Sequence, residues 1–111
     1  MGRLKKELVD HPQHYSMEGR KECIIEMEEE FGVKNVMIFC YLNSYKYLYR
    51  LGNKDDAEQD LNKAIWYFEY VDKLAEKWKT EPFDVRMRQQ LEKMIKDAKR
   101  KVKKMKKENV E

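Results

Sequence analysis

The segment 36–42, with the sequence VMIFCYL, constrains the fold more than any other part of the chain, because it is apolar on almost every side of a helix. Such a helix is typical of a protein interior, where other helices cover it on several sides. We expect it to begin at Val33 or Lys34 and to end near Leu51, before Gly52. Only four glycines and two prolines occur in 111 residues, which disfavours a turn-rich β architecture. The sequence therefore predicts an all-α protein.

The helix before the central one is predicted over about residues 20–30, and Gly32 ends it because glycine accepts a left-handed conformation. The residues at the spacing of a buried face are Cys23, Ile24, Met27 and Phe31. The acidic residues on its other side are Glu22, Glu26, Glu28, Glu29 and Glu30.

Two helices are predicted after the central one. The first covers about 57–79, with Asp55 or Asp56 as its cap and a capping box from Asp56 to Gln59. Its core stripe consists of Leu61, Ala64, Ile65, Phe68, Val71, Ala75 and Trp78. Pro82 then precedes a last helix that runs to about Lys106. Its apolar residues are Met87, Leu91, Met94, Ile95, Ala98, Val102 and Met105.

The length leaves room for one modest core, so we expect a compact bundle of about four helices with two central antiparallel ones. We divide the chain into a flexible N-terminus at 1–9, a helical domain at 10–79, and a basic amphipathic helix at 80–111. We expect this last helix to pack on the domain or on a partner subunit. It carries the basic charge, since 81–111 has 11 Lys and Arg against 6 Asp and Glu, whereas 1–80 has 13 against 15.

Three features that the sequence lacks indicate the cellular compartment of the protein. No apolar run approaches the roughly 18 residues that span a bilayer, and the first residues are charged rather than apolar. Cys23 and Cys40 are too few for a disulfide framework. We therefore expect a cytoplasmic protein without a membrane partner.

A polar stripe lies in the second half of the central helix. At about 100° per residue, it contains Asn43, Lys46, Tyr47 and Arg50. A short loop makes the next helix an antiparallel neighbour, so the stripe should face Asp60, Lys63 and Tyr67. Lys and Arg neutralise phosphates and tyrosine rings offer stacking surfaces, so this cleft suits an anionic ligand with a flat base. The alternative, which periodicity alone favours, is a solvated face with an ordinary ion pair between Asp60 and Lys63.

His11-x-x-His14, followed by Tyr15, is a second candidate constellation. A histidine that titrates near neutral pH suits a general base or a phosphate contact. Both histidines and both cysteines offer the right atoms for zinc. However, Cys23 and Cys40 fall on apolar faces, so we expect no zinc. Histidines bonded to backbone on a surface segment are the remaining interpretation.

Glu22 and Glu26, one helical turn apart, are the best carboxylate pair for a hard cation such as Mg²⁺. A solvated acidic face is favoured over this weak metal site. No Gly-x-x-x-x-Gly-Lys-Ser/Thr or Gly-x-Gly-x-x-Gly loop occurs, so side chains must hold any nucleotide.

The basic segment 93–107 can attract phosphates. It has no aromatic residue on which a base can stack, and its lysines also keep a packed helix soluble. The sequence therefore favours a nucleotide over a nucleic acid as the partner.

As a set, these residues resemble a small phage and prophage domain family of unknown function that is often labelled SaV-like or "nucleotide kinase". The resemblance covers about 10–75. Its motifs are His11-Pro12-x-His14-Tyr15, Gly19, Glu22, Asn43-x-x-Lys46-Tyr47-x-x-Arg50, Lys54 and Asp60-Leu61-x-Lys63-Ala64-x-x-Tyr67. Leu42 departs from the family pattern, which commonly has Gly before the Asn. The last helix lies outside the shared region.

The resemblance implies a protein of the bacterial host cytoplasm that phosphorylates deoxynucleoside monophosphates without a P-loop, with ATP and Mg²⁺ as cofactors. The implied phosphate-binding residues are Lys46, Arg50, Lys54 and Lys63. Asn43 and Tyr67 would orient the substrate. A proton would move through His11 or His14, and the metal would be brought by Asp60 or Glu22.

Two other functions stay open on the sequence. One is a non-catalytic phage protein that binds a host or defence factor, or a nucleotide signal, through the same cleft. The other is an all-α nucleotide pyrophosphatase, for which Glu26-x-x-Glu29 and Glu69-x-x-Asp72 are a distant pair of acidic motifs. Numerous aromatic residues and the amphipathic last helix also predict a homo-oligomer.

Overall fold

The computed structural model describes residues 22–51 and 56–110 of the chain. This part contains four helices: α1 (Cys23–Phe31), α2 (Val33–Arg50), α3 (Ala57–Lys77) and α4 (Val85–Val110). The described residues contain no strand, which confirms the predicted all-α fold. None of the described helices is long and apolar enough to cross a membrane. The predictions for 1–9, for the His11 to Tyr15 segment and for Lys54 lie outside the described residues.

α2 and α3 form the predicted antiparallel pair at the centre of the bundle. Their contacts run in opposite directions along the two helices, from Phe39 beside Tyr67 to Arg50 beside Asp60. Midway between these contacts, the hydroxyl of Ser44 donates a hydrogen bond of 2.8 Å to the backbone carbonyl of Ala64. Both residues are 0% exposed, and their small side chains let the two backbones approach closely. This crossing holds the two helices in the register that the candidate site needs.

α4 packs on α2 and α3 of its own chain. Its buried residues are Leu91, Ile95, Ala98 and Val102, at the predicted helical spacing. Near its start, the Arg88 guanidinium contacts both carboxylate oxygens of Asp72, at 2.8 and 3.0 Å, and lies 4.6 Å from the centre of the Phe68 ring. These contacts, which the sequence pattern did not indicate, attach the basic helix to α3. The helix also extends to Val110, beyond the predicted end near Lys106.

The prediction of which residues form the buried face of α1 is wrong at both ends of the helix. Cys23 is exposed and Phe31 is 64% exposed, whereas Glu28, predicted to face solvent, is only 3% exposed. The carboxylate is buried because it accepts hydrogen bonds from the Lys77 ammonium at 2.5 Å and from the Trp78 indole at 2.9 Å. A buried carboxylate needs such partners, so these bonds set the rotation of α1.

Trp78 does not belong to the core stripe of α3, as the sequence predicted, because α3 ends one residue earlier and the indole is 50% exposed. The predicted capping box is also absent from the described part of the chain, since Asp56 occupies the N-cap position without a side-chain hydrogen bond to the helix. Gly32 does connect α1 and α2, with φ of 95° and ψ of 154°. Only glycine adopts this conformation readily.

A thiol reagent such as iodoacetamide at pH 8 should label Cys23 and leave Cys40 unlabelled in the folded protein. Cys40 is 0% exposed, and the thiolate is the reactive form of a cysteine. Burial, with the negative charge of Glu28, raises the pKa of the Cys40 thiol to about 12, so the buried group stays protonated. Mass spectrometry should find one label on the native protein and two after denaturation. Equal labelling of both cysteines in the native protein would contradict the fold.

Candidate functional site

The predicted polar stripe on α2 does meet the polar flank of α3, and two tyrosines form the contact. The rings of Tyr47 and Tyr67 are stacked, with centroids 6.0 Å apart and an angle of 11° between their planes. Phe39 places its ring edge-on to Tyr67 at 6.1 Å and 87°. Stacked and edge-on aromatic pairs each add stabilisation beyond their buried area. The tyrosine pair therefore stabilises the α2–α3 contact.

Three basic side chains surround Tyr47. The Lys46 ammonium lies 4.9 Å from the ring centroid, the Lys63 ammonium 5.5 Å, and the Arg50 guanidinium carbon 5.7 Å. Lys46 and Arg50 come together because they are one helical turn apart, while Lys63 comes from the neighbouring helix. We call Lys46, Tyr47, Arg50, Lys63 and Tyr67 the cation–tyrosine cluster.

Asp60 contributes the negative charge beside this cluster. Its carboxylate is buried, at 3% exposure, and lies 3.8 Å from the Nε atom of Arg50, whose side chain is 45% exposed. The ion pair that the sequence offered as an alternative, between Asp60 and Lys63, does not form among the described residues, because the carboxylate turns toward α2. The three cations and one carboxylate leave a net charge of +2, which favours an anion.

The Tyr67 hydroxyl can act as a hydrogen-bond donor and not as a base. Burial, together with the neighbouring Tyr47, raises the pKa of Tyr67 to about 12. Tyr67 therefore keeps its proton across the physiological range and can donate a hydrogen bond to a bound oxygen atom.

Asn43 lies on the same side of α2 as the cluster, but its side-chain nitrogen donates a 3.0 Å hydrogen bond to the backbone carbonyl of Phe39. The candidate metal ligands are separate from the cluster: Glu22 precedes α1 and Glu26 is in its first turn. Within the described ranges, no group of three or more His, Cys, Asp or Glu side chains is placed to hold a metal ion. His11, His14, Tyr15 and Lys54 lie outside the described residues.

A second aromatic and charged cluster was missed by the sequence interpretation. Trp66 and Tyr70 stack with centroids 5.1 Å apart, and Tyr70 lies near the buried carboxylate of Glu28. Burial, followed by the Glu28 charge, raises the pKa of Tyr70. The four-residue spacing of the two aromatic residues was a signal in the sequence. Glu28 gave no signal, because it lies in a run of three glutamates.

Comparisons with known proteins address the family of the chain. The search of curated proteins returns no match, and the search of solved structures returns none either. A family model described as a protein of unknown function, DUF3310, matches residues 9–69, which is more than half of the chain. The matched span contains the whole cation–tyrosine cluster and stops before α4. The predicted resemblance to a domain family of unknown function is confirmed at this level. The chain belongs to the DUF3310 family of proteins of unknown function.

Proposed function

We propose that the chain binds the phosphate group of a nucleotide at the cation–tyrosine cluster and transfers a phosphoryl group to a nucleoside monophosphate. The observation that carries the binding part is the convergence of Lys46, Arg50 and Lys63 within 5.7 Å of one tyrosine ring. Two packed helices fix the backbone positions of these cations, so only their side chains lose conformational freedom when an anion binds.

The cluster supports phosphate recognition more directly than base stacking. The rings of Tyr47 and Tyr67 are already stacked on each other, and the three cations lie against Tyr47. A base would therefore have to displace contacts that the protein makes with itself. A phosphate needs only the charges, and an arginine can contact two of its oxygens at once.

The phosphoryl-transfer part of the proposal is supported by the resemblance described above. Phosphoryl transfer depends mainly on positioning and on neutralising charge, which is what Lys46, Arg50 and Lys63 can do. Asp60 is unsuited to binding Mg²⁺, because its carboxylate is buried beside Arg50. We expect Mg²⁺ to arrive with ATP, and the proposal includes no step through a metal held by the protein.

Titration calorimetry with each deoxynucleoside monophosphate tests the binding site. The variant is Lys46→Gln with Lys63→Gln, which leaves the Arg50–Asp60 pair intact. Each lysine is expected to contribute about 1 kcal/mol to phosphate binding, so the double variant should bind roughly 30-fold more weakly. The matched control, Lys73→Gln with Arg86→Gln, removes two exposed charges elsewhere and should bind like the parent. The proposed site would be overturned if the double-lysine variant and the control bound the nucleotide with equal affinity, or if the parent bound no nucleotide.

Product analysis separates the possible functions. Diphosphate formed from ATP and a deoxynucleoside monophosphate supports the phosphotransferase. Pyrophosphate released without an acceptor indicates the pyrophosphatase instead. Nucleotide binding without turnover would rule out catalysis and leave the binding site.

A non-catalytic binding role is the second candidate, because an apolar ridge on α2 is open to solvent. Leu42 is 55% exposed, Tyr45 48% and Tyr49 73%, and the two tyrosine rings are 6.5 Å apart. Exposed apolar residues that lie together are typical of interaction surfaces. Such a ridge is also where we expect the contact of the predicted homo-oligomer, which stays a prediction that sedimentation equilibrium can test.

A further inference from the structure

The surface of α4 carries a large excess of positive charge. The helix contains 11 Lys and Arg residues against 3 Asp and Glu residues. Ion pairs among the described residues involve three of these cations, which are Arg88, Arg100 and Lys106. The other eight are exposed and form no ion pair in the described part of the chain. This surface belongs neither to the cation–tyrosine cluster nor to the family match, which ends at residue 69.

Five of the cations form a straight row along the helix. They are Lys93, Lys96, Arg100, Lys104 and Lys107, and we call them the basic strip. Steps of three and four residues place them on one side of the helix, opposite the buried seam. At 1.5 Å per residue, the strip is about 21 Å long. The pair between Arg100 and Asp97 is 3.5 Å long and both side chains are largely exposed, so it neutralises little of this charge.

The apolar side of α4 is already used inside the protein. Leu91, Ile95, Ala98 and Val102 are only 3 to 7% exposed. An amphipathic helix that lies in a membrane interface inserts its apolar side among the lipids. The buried seam prevents this, so the strip fits a partner that is recognised by charge alone.

The strip has no aromatic side chain, and this favours a nucleic-acid duplex over a single strand. Proteins that bind single strands use aromatic rings on which the unpaired bases stack. A duplex hides its bases and presents a dense row of phosphates, one negative charge per about 1.7 Å of axis. We propose that the basic strip of α4 binds the phosphate backbone of a nucleic-acid duplex, independently of its sequence.

Fluorescence anisotropy with a labelled 24-base-pair duplex, at salt concentrations from 50 to 200 mM, tests the proposal. Five phosphate contacts predict a slope of about −4.5 for the logarithm of affinity against the logarithm of salt concentration. The affinity should then fall by roughly 500-fold over this range. The variant Lys93→Gln, Arg100→Gln and Lys107→Gln should reduce the slope to about −2.

The matched control is Lys73→Gln, Lys99→Gln and Lys101→Gln, which removes the same charge away from the strip and should keep most of the slope. Circular dichroism should find equal helix content in both variants. Nucleotide binding should be unchanged in the strip variant, which separates this proposal from that of the α2–α3 site. The proposal would be overturned by equal slopes in both variants, by tighter binding to the single strand, or by binding to anionic vesicles but not to the duplex.

Discussion

Replacing Tyr41 by alanine is expected to lower the free energy of unfolding by about 3 to 5 kcal/mol, which is the usual cost of removing a large buried aromatic ring. Tyr41 is 0% exposed, and its ring centroid lies 6.4 Å from that of Phe68 on α3. Its hydroxyl lies near Arg88 of α4, so this α2 side chain contacts both α3 and α4. Urea unfolding followed by circular dichroism measures the loss.

The variant Tyr41→Phe is the control, because it removes only the hydroxyl. This oxygen is buried near the Arg88 guanidinium but makes no hydrogen bond of good geometry within the described part of the chain. Removing an unpaired polar atom costs little, so we expect a change below about 1 kcal/mol. A loss as large as that of Tyr41→Ala would show that a strong bond to Arg88, and not the packing of the ring, holds the three helices together.

Replacing Glu28 by alanine is expected to lower the free energy of unfolding by about 3 kcal/mol. The carboxylate is the acceptor for the Lys77 ammonium and the Trp78 indole, and hydrogen bonds to charged groups contribute about 1.5 to 3 kcal/mol each. Lys77 is expected to contribute less than this, because its side chain is 53% exposed and water screens the charge. The same unfolding experiment measures the effect.

Two further variants test whether the loss comes from the hydrogen bonds of the Glu28 carboxylate. Glu28→Gln keeps an oxygen for the Trp78 indole and should recover part of the loss. Glu30→Ala removes an exposed glutamate from the same helix and should change stability by less than about 0.5 kcal/mol. If Glu28→Ala and Glu30→Ala are equally mild, Glu28 does not hold α1 on the bundle as the structure indicates.

The candidate site was largely predictable from local rules. The 100° rotation per residue placed Lys46, Tyr47 and Arg50 on one side of a helix. The short connection to α3 placed Lys63 and Tyr67 opposite them. Both rules depend on neighbours in the sequence, and the observed stack of Tyr47 on Tyr67 agrees with them. The partner of Asp60 was not predictable, because Asp60–Lys63 and Asp60–Arg50 pairs fit the pattern equally well.

The sequence alone determined the order of the four described helices and, apart from Trp78, the buried seams of α3 and α4, because apolar periodicity is repeated over many residues in each. It did not determine which apolar side of α2 stays open, since Phe39, Leu42 and Tyr45 are exposed. Only the tertiary structure decided the rotation of α1, where Glu28 is buried and Phe31 is exposed. α1 has nine residues and several glutamates, so its own pattern fits more than one rotation. Its orientation depends on Lys77, which is 49 residues away in the chain, and no local pattern contains that contact.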